Sequence, residues 1–153
     1  VVAAVRREDQ AAALAASGYE TLLLGAPEKL AEQIAEKLGG GADAIFETTG
    51  AWLPACVHAA AKHGSICVIA SPGMGKLTVD FPVLDFYRRG LNLIGVNSLL
   101  HDTVACATML NAFAGLFASG ALPPPPAPVE VPLSDGIEAY RLVNEGFSGK
   151  IVL

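Results

Sequence analysis

Five short apolar runs divide the first two thirds of this chain, and polar or small residues separate them at the spacing of alternating strands and helices. Val1-Val2-Ala3-Ala4-Val5, Thr21-Leu22-Leu23-Leu24, Asp43-Ala44-Ile45-Phe46-Glu47, Ser65-Ile66-Cys67-Val68-Ile69-Ala70 and Leu91-Asn92-Leu93-Ile94-Gly95-Val96 read as strands of a buried parallel sheet. Residues 10–16 are alanine-rich and predict a helix that stops at Gly18. Leu30, Ile34 and Leu38 recur every four residues, with Glu28, Lys29, Glu32, Glu36 and Lys37 between them, which predicts an amphipathic helix ended by Gly39-Gly40-Gly41. In the next interval Pro54 suits a first helical turn, Lys62 and His63 suit a carbonyl end, and Gly64 suits the residue beyond it. Residues 76–79 are expected to be briefly extended, and a short helix from about 82 to 89 leads to the fifth strand.

Asp102 is a candidate N-cap for the longest helix, with Cys106, Met109, Leu110, Phe113, Leu116 and Phe117 as its buried face and Gly120 as its stop. Residues 123–126 are four prolines, a stiff spacer, with recognition by a proline-binding partner the remote alternative. A small strand at 129–131, a helix opened by Ser134 or Asp135 with Glu138 and closed by Gly146, and a terminal strand at 150–153 complete the order. The fold class this implies is α/β, a doubly wound parallel sheet with an appended strand, helix and strand. In such sheets ligands lie at the carboxyl ends of the strands, and here the third and fourth strands end in Thr48-Thr49-Gly50 and Ser71-Pro72-Gly73.

A length of 153 residues suits one domain. Hydrophobic residues make up 52% and charged residues 16%, with mean hydropathy +0.46, so both sheet faces are expected to be covered and a protein contact is expected as well. No apolar run approaches the roughly 18 residues of a membrane helix, and there is no leader with a basic then an apolar region. The expected setting is cytoplasmic, with no membrane partner. A net charge of −5 argues against a nucleic-acid partner. Cys56, Cys67 and Cys106 read as three reduced core thiols. His58 and His63 are five apart, and His101 precedes a capping Asp, so zinc ligation by this chain is not expected. No residue is singled out as acid, base or nucleophile.

Residues 41–50, 64–70 and 93–95, with the ending Pro132-Leu133-Ser134-Asp135, Glu138-Ala139-Tyr140 and Gly149-Lys150-Ile151-Val152-Leu153, resemble the cofactor half of the medium-chain dehydrogenase/reductase superfamily. The flavour is that of its quinone oxidoreductase and zinc-type alcohol dehydrogenase-like members. The resemblance implies a Rossmann-like sheet that is incomplete here: residues 1–153 are a partial dinucleotide-binding domain, with a family extension from about 121 to 153. The first strand with its glycine-rich loop and an N-terminal substrate domain would belong to a longer enzyme, and this chain alone is expected to have little or no activity. In the strand order 3-2-1-4-5-6 the first strand lies between residues 1–5 and 43–47. That gap is expected to close by direct pairing of those two strands or to be filled by another chain or further residues.

The resemblance also assigns the site. Arg6 and Arg7 follow the strand where the family reads the adenosine ribose, and guanidinium groups there favour NADP over NAD; the bland alternative is two solvated arginines paired with Glu8 and Asp9. Thr48, Thr49 and Gly50 would flank the adenosine and pyrophosphate, although the triplet alone is only a turn. Ile69, Ala70 and Ser71, and Gly95, Val96 and Asn97, would line the nicotinamide and its ribose, or be ordinary strand exits. Lys150 would sit near the cofactor phosphates, or be a surface lysine. The expected function is that of a cofactor-binding portion of an NADPH-dependent oxidoreductase acting on a carbonyl, quinone, activated alkene or alcohol. A non-catalytic nucleotide-binding or sensing module, and an enoyl-reductase segment of a multifunctional synthase, are the alternatives. A homodimer through the edge strand at 91–97 is expected.

Overall fold

The computed structural model describes residues 1–73, 75–147 and 149–153, in two compact units, Val1–Ser98 and Leu99–Leu153. In the first unit β1 (Val2–Val5) pairs in parallel with β2 (Glu20–Leu23) across α1 (Glu8–Ala16). A 3-10 turn at Pro27–Lys29 runs into α2 (Leu30–Leu38), which Gly39 ends in the left-handed conformation at φ 73°. A second parallel sheet follows, in the order β3 (Ala42–Glu47), β4 (Ala60–Val68), β5 (Asn92–Gly95), with α3 (Leu53–Ala59) between the first two strands and α4 (Val83–Arg88) before the third. Five strands alternate with helices as the apolar runs predict, although β4 starts at Ala60 rather than Ser65 and stops at Val68 rather than Ala70.

The core lies where α2 and α3 pack on β3 and β4. Leu30, Ile34, Ala42, Cys56, Val57 and Ile66 are buried there, with Val57 and Ile66 fully inaccessible. A side-chain amide ties α2 to the end of β2: Gln33 Nε2 donates to the Leu23 carbonyl at 2.9 Å, and the Gly25 N–H donates to Gln33 Oε1 at 3.2 Å. Leu38, the last residue of the predicted apolar stripe, is exposed.

Several expectations are corrected. The helix α3 ends at Ala59, so Lys62 and His63 are not at its carbonyl end; they lie in the irregular start of β4, where the register jumps between the Ala42–Ala60 and Ala44–Ser65 pairs. The early stop is held from a distance. Arg89 Nη1 donates to the carbonyls of His58 and Ala60, both at 2.9 Å, and the Arg89 carbonyl accepts from the His63 N–H at 2.8 Å. Those bonds satisfy carbonyls that a longer helix would have used internally. Of residues 76–79, Lys76 alone is in a bridge, to Gly73, and none forms a strand.

Both sheet faces are not covered. Ile45 and Ile66 pack into the core, but Phe46 is 63% exposed and Ile94, two strands along in the same row, is exposed too. Nor do β1 and β3 pair directly: among the described residues β1 pairs with β2 and β3 with β4. The strand β5 is an edge, bonded to β4 alone among the described strands.

In the second unit a 3-10 turn at Ser98–Leu100 begins at the boundary, and α5 (Thr103–Ala118) follows, with Asp102 Oδ1 accepting from the Ala105 N–H at 2.8 Å as the predicted N-cap. The predicted buried stripe is exposed instead: Met109, Leu110, Phe113, Leu116 and Phe117 are accessible, and Cys106 is half-buried. Then β6 (Val129–Glu130) pairs in parallel with β7 (Ile151–Val152), across a 3-10 turn at Leu133–Asp135 and α6 (Gly136–Asn144). The predicted cap on α6 does not form. Ser134 Oγ bonds Asp135 Oδ1 at 3.1 Å, and Glu138 turns to Arg141, which also bridges Glu145. No helix among the described residues is long and apolar enough to cross a membrane.

Candidate functional site

Parallel register brings three strand ends into one row. Glu47, Val68 and Gly95 are directly paired neighbours. The ladder continues one residue further, with the Ile69 N–H on the Glu47 carbonyl at 3.2 Å and the Val96 N–H on the Val68 carbonyl at 2.9 Å. Thr48-Thr49-Gly50, Ile69-Ala70-Ser71 and Gly95-Val96-Asn97 are therefore brought together at the carboxyl edge of one sheet. The strand β4 stops at Val68, so Ile69 and Ala70 belong to the exit.

The first two exits touch. Gly50 has φ 72°, and a Cβ built on it would lie 2.4 Å from the Ala70 carbonyl oxygen and 2.7 Å from the Ser71 carbonyl carbon. No side chain fits between these turns. At Gly95 the reverse holds: a Cβ there meets nothing within 4 Å, which leaves the backbone open to an approaching molecule.

Beneath the β3 exit lies a residue that the sequence reading left unassigned. Glu47 is 5% exposed, and its carboxylate accepts from the Thr49 N–H at 3.0 Å, the Thr49 hydroxyl at 2.5 Å and the Gly50 N–H. Thr49 Oγ1 in turn accepts from the Ala51 N–H at 3.2 Å. An acid closing an apolar strand, two and three residues before Thr and Gly, was the available signal. The same carboxylate faces α3. Burial, and secondarily the Glu47 charge, push the Cys56 thiol from its ordinary 9.0 up to about 12. Cys56 is buried, whereas Cys67 and Cys106 are only half-buried, so a single cysteine is a core thiol.

The other predicted residues lie on other elements. Arg6 and Arg7 follow β1, in the two-stranded sheet of the first unit. Arg7 occupies the N-cap position of α1 without a side-chain capping bond, and Arg7 Nε meets Asp9 Oδ1 at 3.1 Å, while Arg6 is exposed. Lys150 is exposed in the second unit, where its carbonyl accepts from the Val129 N–H at 2.8 Å. A concavity of about 530 Å³ lies at the opposite, amino end of β3, lined by Glu32, Gly41, His58, Lys62 and Arg89 among others. It shares no residue with the strand exits, and the chemistry of an open parallel sheet belongs at the exits.

The exits have the small residues, open backbone at Gly95 and close turn packing that suit a dinucleotide, with Thr48 to Gly50, Ile69 to Ser71 and Gly95 to Asn97 as the residues that would hold it. A bound nicotinamide would supply hydride chemistry. Among the described residues no three His, Cys, Asp or Glu side chains converge as a metal site requires.

No curated protein matches the sequence. Benzyl alcohol dehydrogenase from Acinetobacter calcoaceticus superposes with a TM-score of 0.79 at 21% identity, covering 98% of this chain and 41% of that one. A mycobacterial quinone oxidoreductase gives 0.80 at 18% identity, covering 100% and 48%. A mycobacterial protein complexed with NADPH gives 0.76 at 16% identity, covering 100% and 50%. The chain thus spans half or less of the length of each of these. The model of the zinc-binding dehydrogenase family matches residues 1–114, and the chain belongs to that family, within the medium-chain dehydrogenase/reductase superfamily.

Proposed function

We propose that this chain is the cofactor-binding portion of an NADPH-dependent oxidoreductase that transfers hydride to or from a carbonyl, quinone, activated alkene or alcohol. The observation that carries the proposal is the shared row of strand ends, Glu47, Val68 and Gly95, which gathers three small-residue exits at one sheet edge. Substrate contacts come from a domain outside this sequence, and the chain alone turns over little or nothing. Two such chains join through the edge strand β5, whose Leu93 and Ile94 are exposed.

The preference for NADPH rests on Arg6. Arg7 is engaged by Asp9, which leaves Arg6 as the guanidinium at the β1 exit with no ion-pair partner among the described residues. A guanidinium binds a 2′-phosphate and a carboxylate repels it. Titrating wild type and Arg6→Asp with NADPH and NADH tests this: the ratio of affinities should fall by about tenfold or more in the variant, the loss of one charge-assisted contact. An unchanged ratio would remove the argument for NADPH.

A further inference from the structure

A turn at a strand's carboxyl end can hold an anion only with donors that point outward. In the β3 exit turn three donors point inward: the N–H and hydroxyl of Thr49 and the N–H of Gly50 all end on the Glu47 carboxylate. Thr49 Oγ1 is further engaged as acceptor by the Ala51 N–H. The turn therefore sits on a buried negative charge and has its inward donors filled, while Thr48 is exposed. On its β4 side the turn is closely packed, since a Cβ built on Gly50 would lie 2.4 Å from the Ala70 oxygen and 2.7 Å from the Ser71 carbonyl carbon.

We propose that Glu47 is a positioning residue of the site: it fixes the β3 exit turn from beneath, so that the turn offers a dinucleotide the Thr48 hydroxyl and an uncharged surface rather than a phosphate cradle. The assignment rests on the dinucleotide reading of the strand exits. Exchanging the carboxylate for an amide of the same shape sets a donor against the Gly50 or Thr49 N–H and frees the turn.

The test uses this chain with Glu47→Gln and Glu47→Asp, observed by amide exchange and by NMR titration with inorganic pyrophosphate and with NADPH. In the wild type the Thr49 and Gly50 amides should be protected, and pyrophosphate should leave their resonances in place. In Glu47→Gln their exchange should rise by about tenfold or more and NADPH affinity should fall about tenfold, the scale of one hydrogen bond to a charged group. Glu47→Asp, which keeps the charge, should recover part of both. Unprotected wild-type amides at Thr49 and Gly50 would overturn the assignment even if Glu47→Gln failed to fold. So would wild-type resonances there that follow pyrophosphate, or NADPH affinity unchanged in Glu47→Gln. Protected amides in a wild type that binds no NADPH would instead overturn the dinucleotide reading, and with it the ligand half of this assignment. Unprotected amides in a wild type that does bind NADPH would overturn the role of Glu47 alone.

Discussion

Replacing Gly50 by alanine tests the contact between the first two strand exits. The left-handed backbone at φ 72° costs an L-residue roughly 1–2 kcal/mol. The added Cβ then meets the Ala70 oxygen at 2.4 Å and the Pro72 nitrogen at 2.8 Å. These are backbone atoms, so relief requires moving a whole turn, and overpacking of this kind costs roughly 1–3 kcal/mol. The sum is about 2–5 kcal/mol, a large part of the ~5–15 kcal/mol that holds a domain folded. Gly39 supplies the control: its φ is 73°, yet a Cβ there meets nothing within 4 Å, so Gly39→Ala should carry the backbone cost alone, roughly 1–2 kcal/mol. Urea unfolding of the two variants and the wild type gives both numbers. Equal destabilisation by Gly50→Ala and Gly39→Ala would refute the claim that the β3 and β4 exits are pressed together.

Two further variants probe the core and its clamp. Because the folded Cys56 thiol is raised to about 12, the native state keeps a proton that the unfolded state releases above pH 9, so stability should be level below that and fall by about 1.4 kcal/mol per pH unit between 9 and 12. Unfolding midpoints at pH 7, 9 and 10 check this; Cys56→Ala should remove the contribution, and a slope that persists there would assign it elsewhere. Arg89→Met should cost about 2–3 kcal/mol by uncapping the His58 and Ala60 carbonyls, a loss read by thermal unfolding, and no loss would mean that water serves those carbonyls as well.

The alternation of strands and helices was legible because buried parallel strands are continuous apolar runs, and glycines mark their exits. The three exits were also legible, since small residues at strand ends are visible in the chain. The end of α3 was not, because Arg89 lies 31 residues from the His58 carbonyl that it binds and no local pattern encodes such a cap. Glu47 was read as the last residue of a strand; only the fold shows that its side chain turns back under Thr49 and Gly50. The stripe on α5 was read as buried because its residues are apolar, yet apolarity states a need for cover without naming what provides it. The α6 cap does not form, and Glu138 bonds Arg141 instead: the guanidinium holds the Glu138 carboxyl below its ordinary value, while Glu138 and Glu145 push the Arg141 guanidinium up.

The most direct test of the account is a map of where the nicotinamide dinucleotide binds this chain. With NADPH added to millimolar concentration, the amide resonances that move should be those of the β3, β4 and β5 exits, with Thr48, Ala70, Ser71, Gly95 and Val96 foremost. No movement, or movement centred on His58, Lys62 and Arg89 at the amino-end cleft, would contradict the claim that the carboxyl edge is the binding surface.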